Sequence, residues 1–230
     1  MIMKVPKTLA IILDGNGRYA ERNGKKRYEG HTDGIINLIE IMHAAFELGV
    51  ENLICYGLST ENLFREKVEV NHIFELMVDV YHRFVDVAKQ DEAYVEYIGD
   101  IDRLPLPVKA SIKKSQGALK EFKGGKHTLY CCVAYGGRHE IVEAINKAID
   151  RKKHVDEATF LSSLSVPLEP ELLIRTGGEQ RLSNFLLYQI SYSELYFSDK
   201  LFPEFTKEDL IKAFEWYEGR DRRFGLINKK

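Results

Sequence analysis

Cysteine is rare in this chain, with three in 230 residues, and that scarcity is the first constraint. Cys55, Cys131 and Cys132 lie inside apolar runs, without the spacing of a metal knuckle or the density of a disulfide scaffold. They read as buried, reduced thiols. Long apolar runs are missing as well: nothing approaches the ~20 residues of a membrane-spanning helix. Met1 to Thr8 is polar and Leu9 to Leu13 is too brief for a secretion signal, so the expected location is the cytoplasm. Excess positive charge is absent. Lys and Arg number 33 against 35 Asp and Glu, a formal charge of −2, and a general nucleic-acid binder would be clearly basic. No GxxxxGK[ST] loop and no GxGxxG fingerprint occurs, which disfavours ATP and dinucleotides as ligands. Repeats, low-complexity tracts and linkers are also lacking, so residues 1–230 read as one domain.

What is present is an alternation of two apolar periods. Leu9 to Leu13 predicts a buried strand closed by a turn at Asp14-Gly15-Asn16-Gly17. Ile35, Leu38, Ile39, Met42, Ala45 and Phe46 follow at helical spacing, and Gly49 is the natural stop. Further strands are predicted at 52–58, 94–98, 127–135 and 172–176. Further helices are predicted at 69–89, 108–122 (with Pro105 and Pro107 limiting its start), 140–151 and 207–217. Strands alternating with helices imply right-handed crossovers. The expected fold class is therefore α/β, a largely parallel central sheet flanked by helices.

The chemistry is concentrated where those strands end. The first ends at Asp14-Gly15-Asn16-Gly17-Arg18 and the second at Ser59-Thr60-Glu61-Asn62, with Arg65 close behind. The fourth ends at Gly136-Gly137-Arg138, and the fifth runs through Arg175-Thr176-Gly177-Gly178 to Arg181, Ser183 and Asn184. Ligands of open α/β sheets bind outside the carboxyl ends of the strands. Glycines there let backbone N–H groups approach an anion, and the planar guanidinium fork suits phosphate oxygens. One such loop is ordinary turn chemistry. Arg18, Arg27, Arg65, Arg175 and Arg181 flanking strand ends of a chain without net positive charge point to more than one phosphate group. Asp14 closes an otherwise apolar strand beside those arginines; it reads as a turn cap or as a carboxylate holding Mg²⁺ against a pyrophosphate.

These segments resemble the cis-prenyltransferases, the undecaprenyl diphosphate synthase and isoprenyl transferase family, from Leu9 to Gly225. The stretches that carry the resemblance are Ile12 to Arg18, Gly30-His31, Leu58 to Asn62, Tyr135 to Arg138, Ile174 to Phe185, and Arg222 to Gly225. It implies condensation of isopentenyl diphosphate onto an allylic diphosphate such as farnesyl diphosphate, with Mg²⁺, each new double bond being cis. It also implies a homodimer and an apolar tunnel for the growing chain. In that reading Asp14 binds Mg²⁺ and helps the diphosphate leave, and Asn16 assists proton removal from isopentenyl diphosphate. Gly15, Gly17, Arg18, Tyr19, Arg27 and His31 surround the allylic diphosphate, while Arg175, Arg181 and Ser183 hold the isopentenyl diphosphate. Glu194 is a second acid linked to the metal. Ser59, Thr60, Glu61, Asn62, Leu63 and Arg65 form a segment that closes over the substrates. Arg223 and Gly225 reach across the dimer interface. Tyr19 and Leu63 stand where the family usually has Trp. The family's accessory subunits lose the first motif, which this chain keeps, and the aspartate-rich DDxxD of the all-helical trans enzymes is absent. Product length, undecaprenyl or shorter, stays open: Tyr81, His82 and Phe84 either line the tunnel or stopper it, and Gly57 leaves room at its wall. The lipid product would allow peripheral contact with a membrane.

Overall fold

A computed structural model of the chain describes residues 3–150 and 154–221. The first strand, β1 (Thr8–Ile12), is wholly buried, and the glycine-rich stretch after it opens a short helix, α1 (Asn16–Arg22). The sequence predicts only a turn there; Gly15 alone makes the turn, at φ 114°. Helix α2 (Gly30–Leu48) leads to β2 (Asn52–Ser59), and Gly49 closes α2 in the left-handed conformation as expected. The predicted helix 69–89 is two helices, α3 (Lys67–Asp79) and α4 (Tyr81–Gln90). The chain breaks at Val80 (φ −84°, ψ 1°), where no proline or glycine signals a break. Next come β3 (Ala93–Ile98) and α5 (Leu106–Ala118), with Pro107 in the first turn, where a missing N–H leaves no helical bond unmade. They are followed by β4 (His127–Tyr135), α6 (Gly137–Asp150), a short α7 (Glu157–Ser163) and β5 (Leu172–Arg175). The chain then forms β6 (Glu194–Phe197) and α8 (Lys207–Glu218). Neither α7 nor β6 is evident from periodicity.

The described strands form one parallel sheet in the order β3-β4-β2-β1-β5-β6. Side chains alternate across it. Leu9, Ile11, Leu53, Cys55, Leu129, Leu172 and Ile174 enter a large core shared with α2, α4, α5 and α8. Ala10, Ile12, Ile54, Tyr56, Cys132 and Leu173 face a smaller core closed by Val166, Phe185, Leu186 and Ile190. The three cysteines are free and buried, and burial pushes their thiols up, so they act as small apolar side chains. Among the described residues, no helix is long and apolar enough to cross a membrane.

The strand order locates the ligand crevice. From β1 the chain turns towards β2, and from β5, the neighbour of β1 on the other side, it turns towards β6. Loops leaving adjacent strands in opposite directions open a gap at their carboxyl ends. That gap lies between Asp14 and Arg175.

Candidate active site at the ends of β1, β2 and β5

Asp14 is fixed by its backbone before its carboxylate meets anything. Its N–H donates to Thr176 Oγ1 (3.0 Å), and the Thr176 hydroxyl donates back to the Asp14 carbonyl (2.8 Å). The carboxylate then accepts from two arginines, Arg18 on Oδ1 (3.1 Å) and Arg175 on Oδ2 (2.8 Å). Arg175 is buried, at 3% exposure. It also donates to Ser183 Oγ (2.8 Å) and to the Arg181 carbonyl, while its Nε finds no partner among the described residues. The turn that brings these loops together needs glycine: Gly177 has φ 86°, and a Cβ there would stand 2.6 Å from the Arg18 guanidinium.

Asn16 begins α1, and no side chain caps that helix, so its leading N–H groups face outward without an intrahelical acceptor. The Asn16 side chain packs against Gly34 of α2, where a Cβ would lie 2.4 Å from its amide oxygen. That oxygen is buried and unpartnered.

Farther along α2, His31 Nε2 lies 2.9 Å from Glu69 Oε1, and the same oxygen accepts from Arg65 at 2.7 Å. Burial pushes the His31 pKa below its ordinary value, more than the partnership with Glu69 raises it. The neutral ring donates from Nε2. Burial is also the largest single influence on Glu69 and pushes it up, but the bonds from His31 and Arg65 outweigh it and hold the carboxylate ionised.

These groups border a cleft of about 370 Å³, in which the five arginines predicted to flank strand ends (Arg18, Arg27, Arg65, Arg175, Arg181) stand with Asp14, Asn16, His31, Ser59, Asn62 and Ser183. Gly15 and Gly17 line an adjoining recess. Arg27 pairs with Glu21 (3.3 Å) and Arg181 with Glu179. Ser59 and Asn62 fix their own turn: each backbone N–H is bound by the other's side chain, at 3.2 and 3.1 Å. Tyr19, Thr60, Glu61 and Leu63 do not line the cleft. Glu61 accepts from Asn184 (2.9 Å), and Leu63 packs on the large core. Glu194 starts the edge strand β6, accepts from Arg220 (3.2 Å) and is not brought to Asp14. Arg223 and Gly225 lie outside the described residues.

Three contributors escape the sequence reading. Thr176 holds Asp14, Glu69 joins Arg65 to the neutral His31, and Glu179 meets Arg181. The signals were at hand, since Thr176 sits inside the quoted glycine turn and Glu69 follows Arg65 by one helical turn.

Past Gly57, Leu58 and Ile73 the cleft gives way to an apolar pocket of about 110 Å³, walled by Leu38, Met77, Tyr81, Phe84, Tyr97 and Ile112. Tyr81 and Phe84 thus line it, whereas His82 is exposed outside it, its ring edge-on to that of Tyr81 at 4.8 Å. An anion-binding cleft opening on a hydrocarbon slot fits a ligand with a charged head and an oily tail. Among the described residues, no group of three His, Cys, Asp or Glu could hold a metal by itself. A single carboxylate facing an anion cleft matches Mg²⁺, which binds through one or two carboxylates with the rest of its shell from phosphate oxygens and water.

Residues 12–225 match the family model described as "Putative undecaprenyl diphosphate synthase". A geranylgeranyl-diphosphate-specific tritrans,polycis-undecaprenyl-diphosphate synthase of Methanopyrus kandleri is 41% identical over 96% of this chain and 85% of its own length. A (2E,6E)-farnesyl-diphosphate-specific ditrans,polycis-undecaprenyl-diphosphate synthase of Micrococcus luteus is 40% identical, covering 96% and 92%. Among solved structures, lavandulyl diphosphate synthase of Lavandula x intermedia, in complex with dimethylallyl diphosphate, superposes with a TM-score of 0.89 at 37% identity, over 96% of this chain and 98% of that one.

Proposed function

The chain belongs to the undecaprenyl diphosphate synthase family of cis-prenyltransferases, and from that premise we propose that it is itself an enzyme that condenses isopentenyl diphosphate with an allylic diphosphate, releasing pyrophosphate. The observation that carries this reading is the continuity of the arginine-lined cleft with the apolar pocket across Gly57, Leu58 and Ile73. Relatives of nearly equal identity are named for farnesyl and for geranylgeranyl starters. We assign farnesyl diphosphate as the starter and undecaprenyl diphosphate as the product.

The site offers two banks of anion-binding groups with one carboxylate between them. On the β1 side, Arg18, Arg27, His31 and the uncapped first turn of α1 would take the allylic diphosphate. On the β5 side, Arg181 and Ser183, with Arg175 behind them, would take the isopentenyl diphosphate. As the allylic C–O bond breaks, negative charge gathers on the departing diphosphate, and the β1-side cations stabilise it where it develops. Mg²⁺ held by Asp14 would add a Lewis acid on the same oxygens. A carbon–carbon bond forms to the terminal methylene of the isopentenyl unit, and loss of a proton from that unit, which Asn16 would assist, restores the double bond. The segment from Ser59 to Arg65 would close over both substrates, and the pocket walled by Tyr81 and Phe84 would receive the chain.

A homodimer belongs to the proposal. Exposed Val142, Ile145 and Ile149 on α6, with Leu195 on the edge strand, are apolar surface that a second copy would cover, and it is across that contact that Arg223, Gly225 and Glu194 would act. The test is incubation of the purified protein with farnesyl diphosphate, labelled isopentenyl diphosphate and Mg²⁺, with chain lengths read by chromatography. A ladder ending in one long product, lost with EDTA, is expected; no incorporation from any allylic starter would sink the reading. Light scattering of the same sample should give twice the chain mass.

A further inference from the structure

Charge is distributed unevenly over this chain. Residues 101–126 hold seven basic side chains (Arg103, Lys109, Lys113, Lys114, Lys120, Lys123, Lys126) and two acidic ones (Asp102, Glu121), a local net of +5 in a chain of −2. Many cations elsewhere meet acids, as in Lys7–Glu51, Lys25–Asp33, Lys200–Asp209 and Lys207–Glu47. Here they do not. Lys113, Lys114, Lys120 and Lys126 are exposed and have no ion-pair partner among the described residues. Lys109 donates to the Asp102 carbonyl, Lys123 lies over the Tyr94 ring, and only Arg103 approaches an acid, Asp100, at 4.0 Å.

Helix α5 organises the patch. Its inward face is Val108, Ser111, Ile112 and Ser115, all buried. The opposite arc carries Leu106, Lys109, Ala110, Lys113, Lys114 and Gly117 at helical spacing, with no acid among them. Leu106 is 77% exposed, one of the most exposed large apolar side chains in the protein. The inward residues Ser111 and Ile112 are also wall residues of the apolar pocket. One helix therefore separates the hydrocarbon slot from a basic, leucine-tipped surface.

We propose that the outer face of α5, continued through Lys120, Lys123 and Lys126, is a docking surface for an anionic lipid bilayer. Lysines attract such a surface without needing fixed geometry, each adding roughly fivefold to partition when close to it. An apolar side chain at the rim can enter the interface, and small residues between the lysines let the helix lie flat. The geometry is independent of the proposed activity; only its purpose, delivery of a lipid product, rests on that reading.

The test is co-sedimentation of the purified protein, without substrates, with vesicles of phosphatidylcholine alone or with a quarter phosphatidylglycerol. Binding is expected to the anionic vesicles only and to fall steeply with added salt. Lys113→Glu with Lys114→Glu should weaken it at least about tenfold and Leu106→Glu several-fold, whereas Lys4→Glu with Lys7→Glu, the same change of charge at exposed positions before β1, should not. Turnover of soluble substrates in detergent should be unchanged in all of them, which separates failure of the surface from failure of the enzyme. Equal binding to neutral vesicles, binding indifferent to the α5 substitutions, or tighter retention by duplex DNA at the same salt would each overturn the proposal.

Discussion

Replacing Asp14 by alanine separates three roles that the site assigns to one carboxylate. The first is structural. Arg175 has only 4% of its side chain exposed, and its partner Asp14 has 27%. Breaking a fully buried ion pair from one side costs about 3–5 kcal/mol. Arg175 keeps Ser183 Oγ and the Arg181 carbonyl, and Asp14 is partly wet, so about 2 kcal/mol is expected in urea unfolding. The second role is repulsion. A carboxylate ~4 Å from a phosphate oxygen disfavours it by about 1 kcal/mol even at the dielectric of water. Without the carboxylate, Arg18 is free to turn to an anion. In EDTA, pyrophosphate should bind Asp14→Ala as tightly as the native chain or several-fold more tightly, by calorimetry. The third role is chemical: with Mg²⁺ present, turnover should fall about a thousandfold, the scale on which a preorganised electrostatic group contributes. Loss of metal-free pyrophosphate binding in parallel with turnover, at an unchanged urea midpoint, would refute this division, as would turnover within tenfold of native.

Three further outcomes follow from the geometry. The folded pKa of His31 lies below its ordinary 6.5, chiefly through burial, so the unfolded chain takes up that proton first. Its contribution to stability is complete above about pH 6.5 and declines as the pH falls towards the depressed value, by no more than ~1.4 kcal/mol per pH unit. Unfolding curves of His31→Gln should be flatter over that window, and an unchanged slope would mean that another group titrates there. Gly34→Ala places a Cβ 2.4 Å from the Asn16 amide oxygen; the helix gains about 1 kcal/mol of propensity and Asn16 is pushed aside. Stability should change by under ~2 kcal/mol while turnover falls at least about tenfold, and native turnover would remove Asn16 from the mechanism. Phe84→Leu enlarges the pocket and should shift the product ladder upward, whereas His82→Ala, outside the pocket, should leave chain lengths unchanged.

Much of the fold was legible because a parallel sheet buried on both faces leaves apolar runs bounded by turns, and β1, β2, β4 and β5 lie within two residues of where those runs stand. What escaped has physical reasons. β6 is an edge strand of four residues, Glu-Leu-Tyr-Phe, with no fully buried position, so it shows no core face. α1 contains Asn16 and Gly17 in its first turn, poor helix formers that tertiary packing overrides: Gly30 and Gly34 let α2 approach Asn16 closely. The break at Val80 is written in no breaker residue, and we have no physical account of it. At the site, glycine and arginine placement pointed to the strand ends that border the cleft. The partners that orient those arginines are common residues whose role only the assembled loops reveal.

The cleft also explains how five arginines fit in a chain of net charge −2. Each meets a carboxylate: Arg18 and Arg175 share Asp14, Arg27 meets Glu21, Arg65 meets Glu69 and Arg181 meets Glu179. Without those acids five guanidinium groups around one cleft would repel one another. The pairs are unequal, however. Arg18, Arg27 and Arg181 have side chains 41%, 52% and 60% exposed, and exposed pairs hold by no more than about 1 kcal/mol each, whereas Arg65 meets the buried Glu69. The exposed three can exchange a carboxylate for a phosphate at little cost. Arg175 is buried among Asp14, Ser183 and the Arg181 carbonyl and cannot. On the proposed reading the exposure pattern divides the labour: Arg175 would be the fixed post that aims Asp14 and Ser183, and the three exposed arginines would be the cations a diphosphate recruits. Net charge, read alone, hides this arrangement, because the acids that cancel the arginines in the sum are the ones that hold them ready.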